Sequence, residues 1–408
     1  MTQSGRQTKR STRLPAVVYV IGAGIFLMGT TEFMIAGLLP ETAADLGVDV
    51  ARAGLLITAF AIGMIIGPPV MALATVRLPA RATLMGALAV FAAGHVVAAV
   101  SDSFTVVAAT RFVTALATGT FWAVGAVVAA KAAGPGNSAR ALAVMSGGLS
   151  LAVIAGVPIG TFAGQLSGWR GPFWMLAVLA AATIAAVAMV APATADEGAH
   201  TVSIRAELST LRERRMWVVL GAITLAQAGF LGAYSFITPL LTERARIPTA
   251  LVPVVLIVFG LGALGGTLVG GRFGDRRPLV TVITAISLTT AALLMLAAVA
   301  DHPVLVVVLV VVLGASGLGA NPVLIAQTLS YAGRQSALAS SLATAAFNLG
   351  TAGGSALAAV TLSTAVGLAG PAMLGALLTG CALVPVGVLV VASQVKQHHA
   401  RPCPAAVS

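Results

Sequence analysis

Twelve apolar runs divide this chain of 408 residues, at about 16–39, 53–75, 82–100, 104–129, 141–166, 172–191, 216–241, 250–271, 279–300, 303–328, 337–362 and 370–393. At about 1.5 Å per residue, a helix of about 20 residues crosses the roughly 30 Å hydrocarbon core of a bilayer. Backbone amides find no water there, so a spanning segment must satisfy its own hydrogen bonds, and an α-helix does so. The runs predict an all-α membrane protein of twelve transmembrane helices. Composition closes the other routes: 9% of residues are charged and 58% apolar, with a mean hydropathy of +1.01. A soluble chain this poor in polar groups could not cover its surface, and disordered chains are polar and charged. The first run follows Arg6, Lys9, Arg10 and Arg13. It is too long for the core of a leader peptide, and no small-residue cleavage site precedes a soluble region, so it reads as a retained first helix. Cys381 lies in an apolar run and Cys403 in the polar tail, and they form neither a disulfide framework nor a metal motif.

The net charge of +11 does not point to nucleic acid, because the basic residues sit in short clusters between apolar runs rather than on one face. Their distribution predicts orientation. With the N-terminus in the cytoplasm, inner segments hold 18 Lys and Arg while outer loops hold four, Arg52, Arg170, Arg244 and Arg246. Positive charge collects on the inside, so both termini are expected to be cytoplasmic. The polar stretch 192–215 separates six runs from six. Within it Ile204, Leu208 and Leu211 share a helical face beside Arg205 and Arg212, which fits a short interfacial helix as well as a solvated linker. The expected organisation is an N-terminal six-helix half, 1–191, a cytoplasmic linker, 192–215, and a C-terminal half with its tail, 216–408. The halves echo each other: Asp102 and Asp301, and Gly171-Pro172 and Gly370-Pro371, recur 199 residues apart (301 − 102 = 371 − 172 = 199).

After the eighth run comes Gly271-Arg272-Phe273-Gly274-Asp275-Arg276-Arg277, read as a loop, in which Asp and Arg follow four and five residues after Gly. The matching first-half loop ends at Arg77 and Arg81 and lacks the Asp; it reads Arg77-Leu78-Pro79. The first run contains Gly29-Thr30-Thr31-Glu32-Phe33-Met34-Ile35-Ala36-Gly37-Leu38-Leu39-Pro40, and the fifth contains Gly147-Gly148 and Gly156-Val157-Pro158-Ile159-Gly160. Over about residues 15–395 the chain resembles the major facilitator superfamily, whose architecture is two six-helix halves. Within it the chain is similar to twelve-span drug:proton antiporters of the bacterial chloramphenicol-exporter kind. It departs from the family where Pro278 follows the loop motif in place of Gly, where Val157 separates Gly156 from Pro158, and where Ala115 stands four residues after Arg111. The resemblance implies alternating access. It assigns gating to Gly271, Asp275, Arg276, Arg77 and Arg81, helix bending in an antiporter motif to Gly148, Gly156, Pro158 and Gly160, and proton transfer to Arg111. Anchoring at the membrane surface is the simpler reading of the charged loop residues, and ordinary packing that of the glycines.

Glu32 is the one carboxylate inside a run. A charge at mid-membrane costs roughly 2.5–3.5 kcal/mol even on the lenient insertion scale. It lies about 24 Å along the first helix, and Arg111 about 12 Å inward from the outer end of the fourth, so the two share the outer half. In the resembled family both helices line the central cavity. An apolar environment favours the neutral acid and a nearby cation favours the carboxylate, so Glu32 suits proton coupling; a permanent ion pair and direct substrate contact are the other readings. His95, in the third run, is a further titratable side chain, with hydrogen-bonded packing as its simpler role.

Phe33, Phe60, Phe121, Trp122, Gln227, Phe230, Tyr234, Asn321, Phe347 and Asn348 are the candidate substrate contacts. Aromatics with few charges suit a neutral amphipathic molecule. The sequence lacks a nucleotide-binding loop, protease and kinase motifs, a clustered catalytic set and a channel filter. The expectation is therefore a secondary transporter, not an enzyme. It would export a chloramphenicol-like drug against protons across a bacterial cytoplasmic membrane, as a monomer in lipid, with no cofactor, metal or nucleic acid. A proton-coupled sugar or metabolite exporter is the alternative, and a non-transporting receptor of the same fold a more distant one.

Overall fold

The computed structural model describes residues 14–75, 78–134, 137–191, 212–299, 301–332 and 337–399. Among them are twelve helices long and apolar enough to span, and no strand. They are α1 (Ala16–Gly37), α2 (Val50–Thr75), α3 (Ala80–Val100), α4 (Phe104–Ala133), α5 (Ser138–Leu151, continued by Val157–Ser167), α6 (Arg170–Val190), α7 (Arg214–Tyr234), α8 (Val252–Arg276), α9 (Pro278–Ala298), α10 (Pro303–Gly319, continued by Asn321–Ala332), α11 (Ala337–Leu362) and α12 (Gly370–His399). Many large apolar side chains are exposed, Met189, Val304 and Val384 among them. Water would not tolerate that surface, whereas lipid is the solvent for which it is built. The stretch 192–211, Arg77, Arg334 and the termini 1–13 and 400–408 lie outside the described residues, and so does the proposed interfacial helix at 204–211.

Proline sets several helix ends, and here the structure corrects the sequence-based boundaries. The first run was expected to reach residue 39, but α1 stops at Gly37 and a short helix, Leu39–Asp45, takes over. Pro40 has no N–H to offer the carbonyl of Ala36, four residues back. The seventh run was expected to continue to 241; α7 ends at Tyr234, and Ile237–Pro239 leads into a π-helical turn, Leu240–Arg244. The Thr238 hydroxyl of this segment donates to the stranded Ala36 carbonyl at 2.8 Å. In the other direction, α8 extends beyond 271 to Arg276, so the glycine–aspartate motif is a helix end rather than a loop. It stops because Arg277 precedes Pro278 and takes an extended φ of −140°. In α5 a π-helical turn at Ala152–Gly156 precedes Pro158, where a regular helix would leave the Ile154 carbonyl without a donor.

α1 packs along α5, and α7 along α11, in the same register. A side-chain carbon on Gly148 would meet the carbonyl of Gly22, and one on Gly350 would meet that of Thr224 (148 − 22 = 350 − 224 = 126). Such close approach is what small residues at four-residue spacing permit. α5 meets α8 at the π turn, where Gly260 lies against Val153 and Ile154, and α2 meets α11. We call the end of the bundle where α1 begins the near end. Every described hydrogen bond linking residues 14–191 to residues 212–399 lies toward the far end: Thr238 to Ala36, Thr58 to Ser355 at 2.8 Å, and Gln165 to Thr249 at 2.7 Å.

Candidate functional site

Thr31, in α1, sits at the centre of a buried polar chain. Its hydroxyl accepts a hydrogen bond from Nη1 of Arg111 (α4) at 2.8 Å and lies 2.8 Å from Nε2 of His95 (α3). The other ring nitrogen of His95, Nδ1, is 2.7 Å from the Phe91 carbonyl. A carbonyl only accepts, so Nδ1 carries the proton and Nε2 is the acceptor for the Thr31 hydroxyl; this tautomer follows from the network. Arg111, His95 and Thr31 are each 1% exposed or less. Phe60, from α2, places its ring 4.3 Å from the guanidinium carbon, a cation–π contact. Gly63 allows this, because its face lies against the backbone of Phe112 and the side chain of Ala115 in α4. Nε and Nη2 of Arg111 are buried without a hydrogen-bond partner among the described residues.

Glu32 is the next residue along α1, about 100° further round the helix. It is half-buried and lines a small cavity between α1, α2, α7 and α11, with Phe33, Phe60, Tyr234, Ser235, Asn348 and Thr351. No ion pair within 4.0 Å joins Glu32 and Arg111 among the described residues. A permanent structural salt bridge is therefore not what this arrangement contains. The cavity has about 20 Å³ of free space, room for about one water.

Two further cavities lie in the bundle, the first sharing Phe33 with it and the second sharing Asn321 with the first. One of about 300 Å³ lies between α1, α5, α8 and α10, lined by Phe33, Ser146, Ser150, Thr267 and Asn321 with apolar neighbours. Phe33 borders both this space and the Glu32 cavity. A tighter one inside α7, α9, α10, α11 and α12 is lined by Gln227, Phe230, Thr289, Ser316, Asn321, Phe347 and Thr379. Of the ten sequence-derived substrate candidates, eight border one of these cavities. Phe121 and Trp122 do not: Phe121 is fully buried against the α1 face at Gly24, and Trp122 packs on the core.

Of the expected gating residues, Gly271, Asp275, Arg276 and Arg81 sit at the near end. Asp275 and Arg276 are exposed, and Gly271 and Arg81 are intermediate in exposure. No ion pair to Asp275 occurs among the described residues, of which Arg77 is not one. Gly270 and Gly274, in the same helix end, lie against Gly319 and Val323 of α10. In α5, Gly148, Gly156 and Gly160 face Gly22, Thr30 and Met34 of α1, and Pro158 follows the π turn.

Sequence reasoning missed two features. Thr31 gave no signal, since a threonine in an apolar run is ordinary. The other is a far-end clasp, where Arg170 pairs with Asp45 and, at 2.6 Å, with Asp102, while Trp169 Nε1 donates to Asp45 at 2.8 Å. It ties three far-end connections together, and only the fold brings those residues within reach.

Known proteins were compared with this chain. The sequence pattern of the Major Facilitator Superfamily matches residues 21–355. The chain is 38% identical to the chloramphenicol resistance protein of Streptomyces lividans over 91% of this chain and 95% of that protein. It is 31% identical to the inner membrane transport protein YdhP of Escherichia coli K12, over 91% of this chain and 95% of YdhP. It is also 28% identical to an MFS-type transporter of Bacillus subtilis, YtbD, over 92% and 95%.

Proposed function

The chain belongs to the Major Facilitator Superfamily and is a multi-pass membrane transporter, not an enzyme, and from that premise we propose that it exports a small, neutral, amphipathic drug of the chloramphenicol kind in exchange for protons. The carrying observation is Glu32, a half-buried carboxyl group without a hydrogen-bonded partner among the described residues, facing a cavity between helices of the first and second six. Protonated, it is a neutral group that the apolar surroundings accept. Ionised, it leans on the charge of Arg111. A group balanced in this way can take a proton from one side and release it to the other as access alternates.

The same reading makes the near end cytoplasmic, in keeping with the basic residues there, in a bacterial cytoplasmic membrane and as a monomer. It treats residues 1–191 and 216–408 as two halves that rock about the α2–α11 and α5–α8 contacts. With the hydrogen bonds between them among the described residues at the far end, this reading takes the far end as the closed one. The drug occupies the 300 Å³ space and displaces Phe33, which couples it mechanically to Glu32. A cavity of that size is at the lower end for small-molecule sites. The chemistry of the linings favours a drug over a sugar. In the tighter cavity Thr289 and Ser316 already bond each other at 2.8 Å and Thr379 bonds Thr290 at 2.9 Å; in the 300 Å³ space the Ser150 and Thr267 hydroxyls donate to carbonyls of their own helices, which leaves chiefly Ser146, Gln227 and Asn321 to meet a solute.

Expression in an exporter-deficient bacterium should lower accumulation of labelled chloramphenicol, and an uncoupler should restore it. Glu32→Gln should be made and inserted normally, bind the drug, and leave accumulation at the level of cells without the transporter. Protection confined to lipophilic cations or to a sugar would refute the substrate class. Uphill efflux by a well-folded Glu32→Gln protein would remove Glu32 from the coupling.

A further inference from the structure

Arg111 is held in a position that leaves part of its hydrogen-bonding capacity unused. Nη1 donates to Thr31, and the Phe60 ring lies beneath the guanidinium. Nε and Nη2 are buried with no partner among the described residues. Unpaired donors of a buried cation are costly. Those two nitrogens are the pair that forms a bidentate contact with a carboxylate, and the nearest carboxylate, Glu32, interacts with Arg111 only at a distance. What holds the guanidinium is the Thr31 hydroxyl. That hydroxyl has one proton, and giving it to Nε2 of His95 turns its lone pairs toward Arg111. His95 is locked in the tautomer this requires by the Phe91 carbonyl.

We propose that Thr31 is a positioning residue: with neutral His95 as its fixed acceptor, it parks Arg111 away from Glu32 and thereby sets the pH at which Glu32 exchanges its proton. The inference rests on the proton-coupled reading above and deepens it. Parked on Thr31, Arg111 is matched to the protonated form of Glu32. When Glu32 releases the proton to the cavity, the carboxylate draws Nε and Nη2 away from Thr31. His95 keeps one proton throughout, so it serves as an acceptor and not as a carrier. The other groups around Glu32 leave the switch to Arg111. From α7 comes Tyr234, and from α11 the uncharged Asn348 and Thr351. Among the described residues no other charged side chain lines that cavity.

The test reads Glu32 directly and needs no drug. Infrared titration of the purified full chain follows the carboxyl C=O band that is lost in Glu32→Gln. Thr31→Val keeps the shape of the side chain and removes the hydroxyl, so Arg111 is free to lean on Glu32 and favour the carboxylate. The midpoint should fall by about one pH unit, a tenfold change in proton affinity. Thr31→Ser keeps the hydroxyl and should titrate like the parent. His95→Gln keeps an acceptor and should also titrate like the parent, although it cannot itself be protonated. If Thr31→Val is not recovered folded, His95→Leu frees the Thr31 hydroxyl to rotate and must lower the midpoint in the same direction. A midpoint unmoved in Thr31→Val, or in His95→Leu in its place, overturns the proposal, as does a His95→Gln protein whose band no longer titrates. The two readings fail separately. Uphill efflux surviving in Glu32→Gln defeats the coupling and leaves the parked arginine standing. A normal loss of efflux in Glu32→Gln with an unmoved Thr31→Val midpoint defeats only the parking.

Discussion

Glu41 shows what a charged group experiences just outside the spanning helices. It sits in the short helix Leu39–Asp45, and its Oε2 is buried with no hydrogen-bond partner among the described residues. Burial pushes its carboxyl above the ordinary carboxylate range, partly offset by a hydrogen bond to its own backbone amide. The sign follows from linkage. A carboxyl whose folded value lies above its unfolded one favours folding while protonated, and stability is lost as the pH rises through that range. Glu41→Gln is therefore expected to melt at a higher temperature than the parent in detergent at about pH 8, with the difference shrinking at about pH 4. Equal melting points at both pH values would show that the carboxyl is better solvated than its surroundings indicate. At this scale the sequence exposed Glu32 and Arg111, because a charge in an apolar run is expensive and so stands out. It could not expose Thr31, whose hydrogen bonds depend on what two other helices, α3 and α4, present to it.

Helix contacts turn on individual glycines, and adjacent ones differ. A side-chain carbon at Gly148 would run into the Gly22 carbonyl of α1, a backbone atom with little freedom to yield, whereas at Gly147 nothing lies within 4 Å. Gly148→Ala should lower thermal stability in detergent by about 1–3 kcal/mol, the usual cost of overpacking. Gly147→Ala should stay within about 0.5 kcal/mol of the parent. Equal effects would mean that α1 and α5 do not pack in this register. The apolar runs showed that both glycines belong to the fifth helix, yet a run that is apolar on all sides gives no sign of which face meets protein and which meets lipid. The ends of the helices were half legible. Pro40 and Pro278 mark the ends of α1 and α8, but the apolar pattern runs on past Tyr234 and stops short of Asp275, so neither the break nor the extension shows in it.

At the scale of the whole molecule, the proposed alternating access requires the far-end contacts to open. Thr58 Oγ1 and Ser355 Oγ are 2.8 Å apart across the α2–α11 contact, close enough for cysteines at both positions to approach disulfide geometry. Thr58→Cys combined with Ser355→Cys should support efflux when reduced, lose at least 90% of it when oxidised, and recover with reductant. Full efflux by a fully cross-linked protein would show that these two helices stay together throughout the cycle. The sequence by itself determined the solvent, the helical class, the twelve spans and the family. Each of these follows from the cost of placing polar groups in hydrocarbon, a cost that every residue meets independently of its neighbours. The hydrogen bond of Arg111 to Thr31, itself bonded to His95, in place of an ion pair with Glu32, the three cavities around Phe33 and Asn321, and the far-end hydrogen bonds were decided by the tertiary structure. Lipid is as apolar as the helices it surrounds, so hydropathy carries no information about which side chains meet. Only shape and the need of each buried donor for an acceptor choose among the possible contacts.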